Sequence, residues 1–281
     1  MLEDVIEGRA FPREQPIDCP LCGRHHDPRR IAARFGMTAS VAYCEDCALG
    51  YQTPRPSEEA SAAYMNSRWR SSDQYVTDNE AKRREAERQV DLVGDADTLL
   101  DFGSGSGIFV RACFDHGITA VGVEQSKSAI DRARQLYGVE LIPDLPEVEV
   151  DMVTMWDVVE HLRDPVRTLR EIRLRLKPGG RVLIETGNYE SWQRSFAGDK
   201  WGLYLLDHHF YFTPASLRRL TELAGFGSFR LLDAGHRKPS MRPWAYDRNP
   251  LKFVHAWNEY RKAMSRWPAH GDIGVMVAEV R

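Results

Sequence analysis

The sequence predicts an α/β fold: a mostly parallel sheet flanked by helices, preceded by a small module held together by cysteines. Three observations predict it. A glycine-rich turn, Asp101-Phe102-Gly103-Ser104-Gly105-Ser106-Gly107, joins a strand-like apolar run to a helix-like one. Strand and helix patterns then alternate toward the C-terminus, the signature of βαβ units. Two Cys-x-x-Cys pairs, Cys19/Cys22 and Cys44/Cys47, lie near the N-terminus.

The chain has 281 residues, enough for one large domain or a large domain with a small one. Its 38 Lys+Arg and 41 Asp+Glu are interspersed, with a net charge of -3, so no strong field recruits nucleic acid or an anionic membrane. The acidic start Met1-Leu2-Glu3-Asp4 is unlike a signal peptide, and no apolar run approaches the ~20 residues of a membrane span. A cytoplasmic protein is expected. Five cysteines without an export signal argue against a disulfide framework.

Residues 1–56 form the first expected module. Cys19-Pro20-Leu21-Cys22-Gly23 and Cys44-Glu45-Asp46-Cys47 are knuckles separated by 21 residues, a spacing that suits a tetrahedral four-thiolate zinc site. Four thiolates leave no open position, so the zinc is expected to be structural, supplying folding energy that so short a segment lacks. His25 and His26 read as surface residues, and Cys113 as core packing. Arg24, Arg29, Arg30 and Arg34 are accompanied only by Phe35 and Tyr43 as stacking surfaces, which is poor provision for single-stranded nucleic acid.

Residues 57–96 read as a helical linker or cap. Ser57 before Glu58-Glu59 caps a helix expected to end near Tyr64, followed by a polar loop over 66–78. A second helix spans Asn79 to Val93, with Ala86, Val90 and Val93 as its apolar stripe. The aromatics Tyr64, Trp69 and Tyr75 suit either a cap over a site or core packing.

Residues 97–281 carry the alternation. After the glycine turn come a helix from Ile108 to His116, a strand ending at Glu124, a helix from Ser126 to Tyr137 and a strand from Glu140 to Ile142. Asp164-Pro165 opens another helix, with Gly179-Gly180 expected to end it, and Thr213-Pro214 opens one that ends at Gly225. Phe229–Leu232 and 274–280 read as the last strands. Between them Phe253, Trp257, Tyr260, Met264 and Trp267 form an apolar stripe on an expected helix.

The glycine turn is a nucleotide cradle, because glycine lets backbone approach a ligand closely and the following helix offers free N–H groups. A dinucleotide fingerprint would need glycine at 108, where the chain has Ile108. Glu124 at the end of the second strand suits bidentate hydrogen bonding to a ribose diol. A nucleoside is implied.

Strand, Asp-x-Gly-x-Gly-x-Gly, helix, strand and Glu together resemble class I S-adenosylmethionine-dependent methyltransferases. Asp151-Met152-Val153-Thr154-Met155-Trp156-Asp157 is similar to that family's fourth strand, and Leu176 to Ile184 to its turn and fifth strand. The resemblance implies a Rossmann-like sheet of seven strands and S-adenosylmethionine as cofactor, held by Asp101, Gly103, Ser104, Gly105, Glu124, Gln125 and Trp156. The two knuckles followed by Tyr51-Gln52-Thr53-Pro54-Arg55-Pro56 resemble a bacterial subgroup with an N-terminal zinc ribbon, many of whose members act on sugars, lipids or natural products.

Ligands of open α/β sheets bind beyond the carboxyl ends of the strands. Asp144 and Leu145, after the third strand, can meet an adenine by hydrogen bond and apolar contact. Asp157, Glu160 and His161, after the fourth, can act as acid–base groups or hold a divalent cation. The pattern acid-x-x-Glu-His resembles ubiquinone-pathway O-methyltransferases, where such residues hold a metal, but Asp157 stands where that family commonly has Glu. His208 or His209 is the expected base, with Glu160 and His161 as helpers. Trp192, Trp201 and Tyr204 offer flat faces for a sugar or aromatic ring.

The expected function is methyl transfer to a hydroxyl of a small molecule, a sugar-containing or other secondary metabolite. The competing readings are a zinc-ribbon RNA methyltransferase, which predicts salt-dependent RNA binding, and a non-catalytic binding module on the same fold.

Overall fold

The computed structural model describes residues 4–6, 9–32, 38–71, 78–232 and 275–281. The chain opens with a short antiparallel hairpin, β1 (Asp4–Ile6) and β2 (Arg9–Phe11). A second antiparallel sheet follows, made of β3 (Arg29–Ala32), β4 (Thr38–Cys44) and β5 (Leu49–Gln52). All four residues of β5 are buried, although β5 would be an edge strand of the front module alone. The reason is a partner from far along the chain, Phe210–Tyr211, which pairs antiparallel with it.

Helix α1 (Glu58–Ser71) is capped by Ser57, whose Oγ accepts from Ala60 N at 3.2 Å. It runs past the expected end at Tyr64 because residues 65–71 contain no glycine or proline to stop it. Helix α2 (Glu80–Val93) is capped by Asn79 and buries Ala86, Val90 and Val93 as expected. The side chain of Trp69, together with Phe35, Arg34, Tyr75 and the stripe from Phe253 to Trp267, lies outside the described residues.

The main sheet follows from five apolar runs that pair in parallel: β6 (Thr98–Phe102), β7 (Thr119–Val123), β8 (Leu141–Ile142), β9 (Val150–Trp156) and β10 (Leu176–Gly187). Helices α3 (Ile108–Asp115), α4 (Lys127–Tyr137) and α5 (Pro165–Arg173) link them. After α6 (Trp192–Ala197), β11 (Phe210–Tyr211) joins the front sheet, and α7 (Pro214–Ala224) leads to β12 (Phe229–Leu232). Strand β13 (Val275–Val280) inserts antiparallel between β10 and β12. The order is β12-β13-β10-β9-β6-β7-β8, a seven-stranded, mostly parallel Rossmann-like sheet. No described helix is long and apolar enough to cross a membrane.

The expectation for Gly179-Gly180 needs correction. Helix α5 stops at Leu174, and both glycines lie inside β10. The register against β9 jumps from Leu176/Val150 to Arg181/Met152, so β10 carries surplus residues that must bulge out. Gly179 takes φ +81 there, and a Cβ on Gly180 would lie 2.9 Å from Lys177 O.

The front module is tied to the main sheet by more than β11. Thr213 Oγ1 donates to Ala48 O at 3.0 Å, and Arg55 Nη1 to Arg163 O at 2.8 Å, while Glu14 receives both Arg55 and Arg163.

Candidate active site

The glycine turn is shaped by what lies against it. Gly103, Gly105 and Gly107 all take positive φ, and the amides of Gly103 and Ser104 donate to Val123 O at 2.8 and 3.0 Å. A Cβ on Gly103 would meet Val158 Cγ2 at 2.5 Å, so the turn presses on the exit of β9. A Cβ on Gly122 would lie 2.6 Å from Ser104 Oγ, which explains a glycine in the middle of β7. Asp101, buried beneath the turn, accepts from Thr154 Oγ1 at 2.8 Å, and burial pushes its carboxyl up to about 7.

Glu124 stands at the lip of the turn. Its two oxygens accept from Gly105 N at 2.9 Å and Ser126 N at 2.8 Å. A carboxylate offers about four acceptor positions, so acceptor capacity remains for the hydroxyls of a ribose. Burial raises its pKa, and the backbone amides of Ser126, Gly105 and Gln125 oppose the rise, with a smaller share from the charge of His161. Trp156 Nε1, at the end of β9, is buried with no hydrogen-bond partner, while its ring meets Phe109 edge to face at 5.3 Å. A fixed carboxylate, a cradle without room for Cβ and an orphaned donor fit a nucleoside cofactor. Gln125 and Asp144 are exposed nearby, and Leu145 is half-buried against the core.

Past β9, Asp157 takes φ +54, rare for a residue other than glycine, and its amide donates to Glu185 O at 3.0 Å. The chain then turns through one 3₁₀ turn, Val159–His161. Glu160 is buried and accepts from Thr186 Oγ1 at 2.8 Å, and burial pushes its carboxyl up to about 7. His161 Nδ1 lies 2.8 Å from Asp207 O, which fixes the proton on Nδ1 and leaves Nε2 as the second ring nitrogen. Burial works against charge on His161, but Asp207 and Glu160 outweigh it and raise the pKa.

The His208 ring meets His161 edge to face, centroids 4.7 Å apart. Among the described residues, Glu160, His161 and His208 bring their ligand atoms within 4.8 Å of one another. Asp157 is not in that cluster; His208 supplies the third donor. His209 has a different setting. Its amide donates to Glu160 O at 2.8 Å, and its ring is buried with Nδ1 unpaired. Burial, with Arg163 and Arg55 nearby, pushes its pKa down to about 3.

The sulfur atoms of Cys19, Cys22, Cys44 and Cys47 also lie within 4.8 Å of one another, with Cys22 and Cys44 Sγ 3.7 Å apart. Tetrahedral zinc with Zn–S bonds of about 2.3 Å requires sulfurs about 3.8 Å apart. Burial pushes the Cys19 thiol up to about 12, a cost that a bound cation would offset. Gly23 and Ala48, each following the second cysteine of its knuckle, take φ +72 and +52. His25 pairs with Asp18 at the surface, and Cys113 is buried in the core.

Two expectations fail. Trp201 and Tyr204 are 1% and 0% exposed and cannot offer a face to a ligand. They pack edge to face at 5.3 Å, with Tyr189 and Tyr211, against Ile31 and Val41 of the front sheet. These aromatics form the core between the front sheet and the segment 189–204 that follows β10. The side chain of Trp192 lies outside the described residues. Sequence reasoning also missed Gln52, Thr154, Thr186 and Asp207, which hold the acidic and imidazole groups in place. A glutamine directly after the apolar run Leu49-Gly50-Tyr51 was the one available signal.

A family model described as a methyltransferase domain matches residues 65–227. The ubiquinone biosynthesis O-methyltransferase of Coxiella burnetii is 28% identical over 171 residues, 55% of this chain and 72% of the relative. That of Aeromonas salmonicida is 29% identical over 147 residues, 45% of this chain and 61% of the relative. In structure, the chain is similar to a SAM-dependent methyltransferase from Archaeoglobus fulgidus, with TM-score 0.53, 18% identity, and coverage of 77% of this chain and 98% of that one.

Proposed function

The chain belongs to the methyltransferase-domain family, and on that premise we propose that it methylates a hydroxyl oxygen of a small molecule, with S-adenosylmethionine as donor and zinc in the four-cysteine cluster. One observation carries the reading. The glycine turn, Glu124 and the cluster of Glu160, His161 and His208 follow the carboxyl ends of the neighbouring parallel strands β6, β7 and β9. The names of the curated relatives support oxygen as the acceptor.

S-adenosylmethionine supplies a methyl group on a positively charged sulfur that is ready to leave. Glu124 would hold the ribose diol, the turn from Gly103 to Gly105 would let the cofactor approach the backbone, and Trp156, Asp144, Leu145 and Gln125 would line the nucleoside. His208 takes the proton from the acceptor hydroxyl. His161, oriented by Asp207 O, supports the His208 ring, and Glu160, whose pKa burial raises, stands beside them. His209 is the weaker candidate, since a ring held near pKa 3 is a poor base at neutral pH. Most of the acceleration comes from holding the acceptor oxygen in line with the methyl group.

The RNA reading loses support from the front module, where Arg24 is paired with Asp46 and Arg29 with Asp199. The test is calorimetric binding of S-adenosylmethionine with zinc content measured on the same sample, then a panel of catechol, phenol and glycosylated acceptors followed by S-adenosylhomocysteine release. Product carrying a new O-methyl group is expected. Binding without turnover across the panel would favour a non-catalytic module, and turnover only on RNA would replace the small-molecule reading.

A further inference from the structure

The candidate base sits on chain that the front module holds in place, and one side chain does most of the holding. Gln52 closes β5 and is 0% exposed. Its Nε2 lies 2.8 Å from Leu205 O and 2.7 Å from His208 O, with Tyr211 Oη at 3.2 Å and Leu206 O at 3.4 Å. Carbonyl oxygens only accept, so the amide must present its NH₂ group here, and its two protons match the two shortest contacts. The backbone adds to the tie. Gln52 N donates to His209 O at 2.9 Å, and His209 N donates in turn to Glu160 O at 2.8 Å. The carbonyl of His208 is therefore fixed to β5, and the next residue is fixed both to β5 and to the exit of β9.

A buried amide is costly unless paired, and packing alone would be served by an apolar residue. Four polar atoms of residues 205–211 converge on this one. Strand β5 begins two residues after Cys47, so the order of the four-cysteine module passes directly into the strand that holds the loop.

We propose that Gln52 is a positioning residue for methyl transfer: its carboxamide, anchored in the four-cysteine module, fixes residues 205–209 so that the His208 imidazole stands against His161 and Glu160. The proposal rests on His208 acting as the base. Without the amide, the Leu205 and His208 carbonyls lose their buried donor and the loop relaxes. A displacement of about 1 Å at a catalytic group can lower the rate by about a hundredfold.

The test uses the full zinc-loaded chain with Gln52→Met, which keeps the length and removes the donor. Histidine ring signals in ¹H–¹⁵N spectra with bound S-adenosylhomocysteine report on the loop without any acceptor. The His208 signals are expected to move, while those of exposed His25, zinc content and cofactor affinity stay as in the parent. Should Gln52→Met lose its zinc, Gln52→Asn, which keeps an amide one methylene short, supplies the same comparison. Unchanged His208 signals would overturn the proposal and leave the base reading intact.

Turnover of 3,4-dihydroxybenzoate, used as the probe acceptor, adds a second readout. Gln52→Met is expected to lower kcat by about tenfold to a hundredfold, with KM for S-adenosylmethionine unchanged. It should have no further effect in a His208→Ala background. Penalties that multiply would make Gln52 a stabilising residue only and overturn the proposal. Full turnover by His208→Ala alone would remove the base reading itself, and with it the tether's role in transfer.

Discussion

The imidazoles of His161 and His208 meet edge to face with centroids 4.7 Å apart, although one follows β9 and the other precedes β11. Asp207 O holds the His161 ring by Nδ1, so the pair has a defined orientation. His208→Ala should lower kcat by at least about a hundredfold, the usual loss when a general base is removed, and His161→Asn should cost less. Cofactor affinity should stay unchanged in both, as read by calorimetry beside steady-state kinetics. His209→Ala should instead lower unfolding free energy by about 2–4 kcal/mol, because it empties buried volume.

Glu124 joins two backbone amides to the space above the glycine turn. Replacing it with alanine removes those acceptors together with the ones left for a ribose. Hydrogen bonds to a charged group contribute about 1.5–3 kcal/mol, so the dissociation constant for S-adenosylhomocysteine should rise by about tenfold to a hundredfold in Glu124→Ala. Glu124→Gln, which keeps one acceptor, should fall between. Equal affinity in all three proteins would place the ribose elsewhere.

Gly103 has two reasons to be glycine: φ +83, and a Cβ that would lie 2.5 Å from Val158 Cγ2. Gly103→Ala should destabilise by about 2–4 kcal/mol in urea unfolding, combining backbone strain with overpacking. Trimming Val158 to alanine in the same chain relieves only the steric share. The double variant should therefore be more stable than the sum of the two single losses by at least about 1 kcal/mol. Simple additivity would mean that the backbone conformation alone demands the glycine.

The glycine turn, the strand ending in Glu124 and the two cysteine knuckles were legible because each is local: a few adjacent residues carry both the geometry and the chemistry. The helix starts at Ser57, Asp164 and Thr213 were legible for the same reason. What escaped is non-local. The pairing of Phe210-Tyr211 with Tyr51 and Gly50 leaves no mark in either segment, and that pairing turns Trp201 and Tyr204 from candidate ligand faces into core. Gly179-Gly180 read as a helix stop because glycine pairs usually end helices, whereas here they absorb a register shift against β9. The choice between His208 and His209 depends on which imidazole is enclosed beside Arg55 and Arg163, and no sequence spacing reports that.

Metal removal should act at a distance through β5. Chelation at neutral pH frees the four sulfurs, whose folding contribution depends on the ion, and β5 begins two residues after the second knuckle. Amide exchange by mass spectrometry should show lost protection over 38–52 and over 208–211, where Gln52 and His209 share a hydrogen bond. Peptides of β6, β7 and α3 should remain protected, with cofactor binding largely retained. Retained protection over 208–211 in the metal-free protein would show that β11 is held from the main sheet instead.

Asp101 sets a pH dependence of stability whose sign can be worked out. Burial is the largest influence on its carboxyl and moves it from the ordinary 3.8 up to about 7; burial likewise moves Glu160 up to about 7. A carboxyl with a raised pKa binds its proton more tightly in the folded chain than in the unfolded one. Its contribution is therefore fully present below about pH 4 and is lost as pH rises through about 7. At about 1.4 kcal/mol per unit, each group can contribute up to several kcal/mol across that window. Asp101→Asn keeps an acceptor for Thr154 Oγ1 and has no proton to lose. Urea unfolding between pH 4.5 and 8.5 should give a flatter stability profile in Asp101→Asn than in the parent, and a flatter one still with Glu160→Gln added. The two profiles should converge at low pH, where the parent carboxyl is already protonated. A parent and a variant with parallel profiles would mean that Asp101 ionises below the whole range, its charge held by Thr154 and Ser104 against the cost of burial.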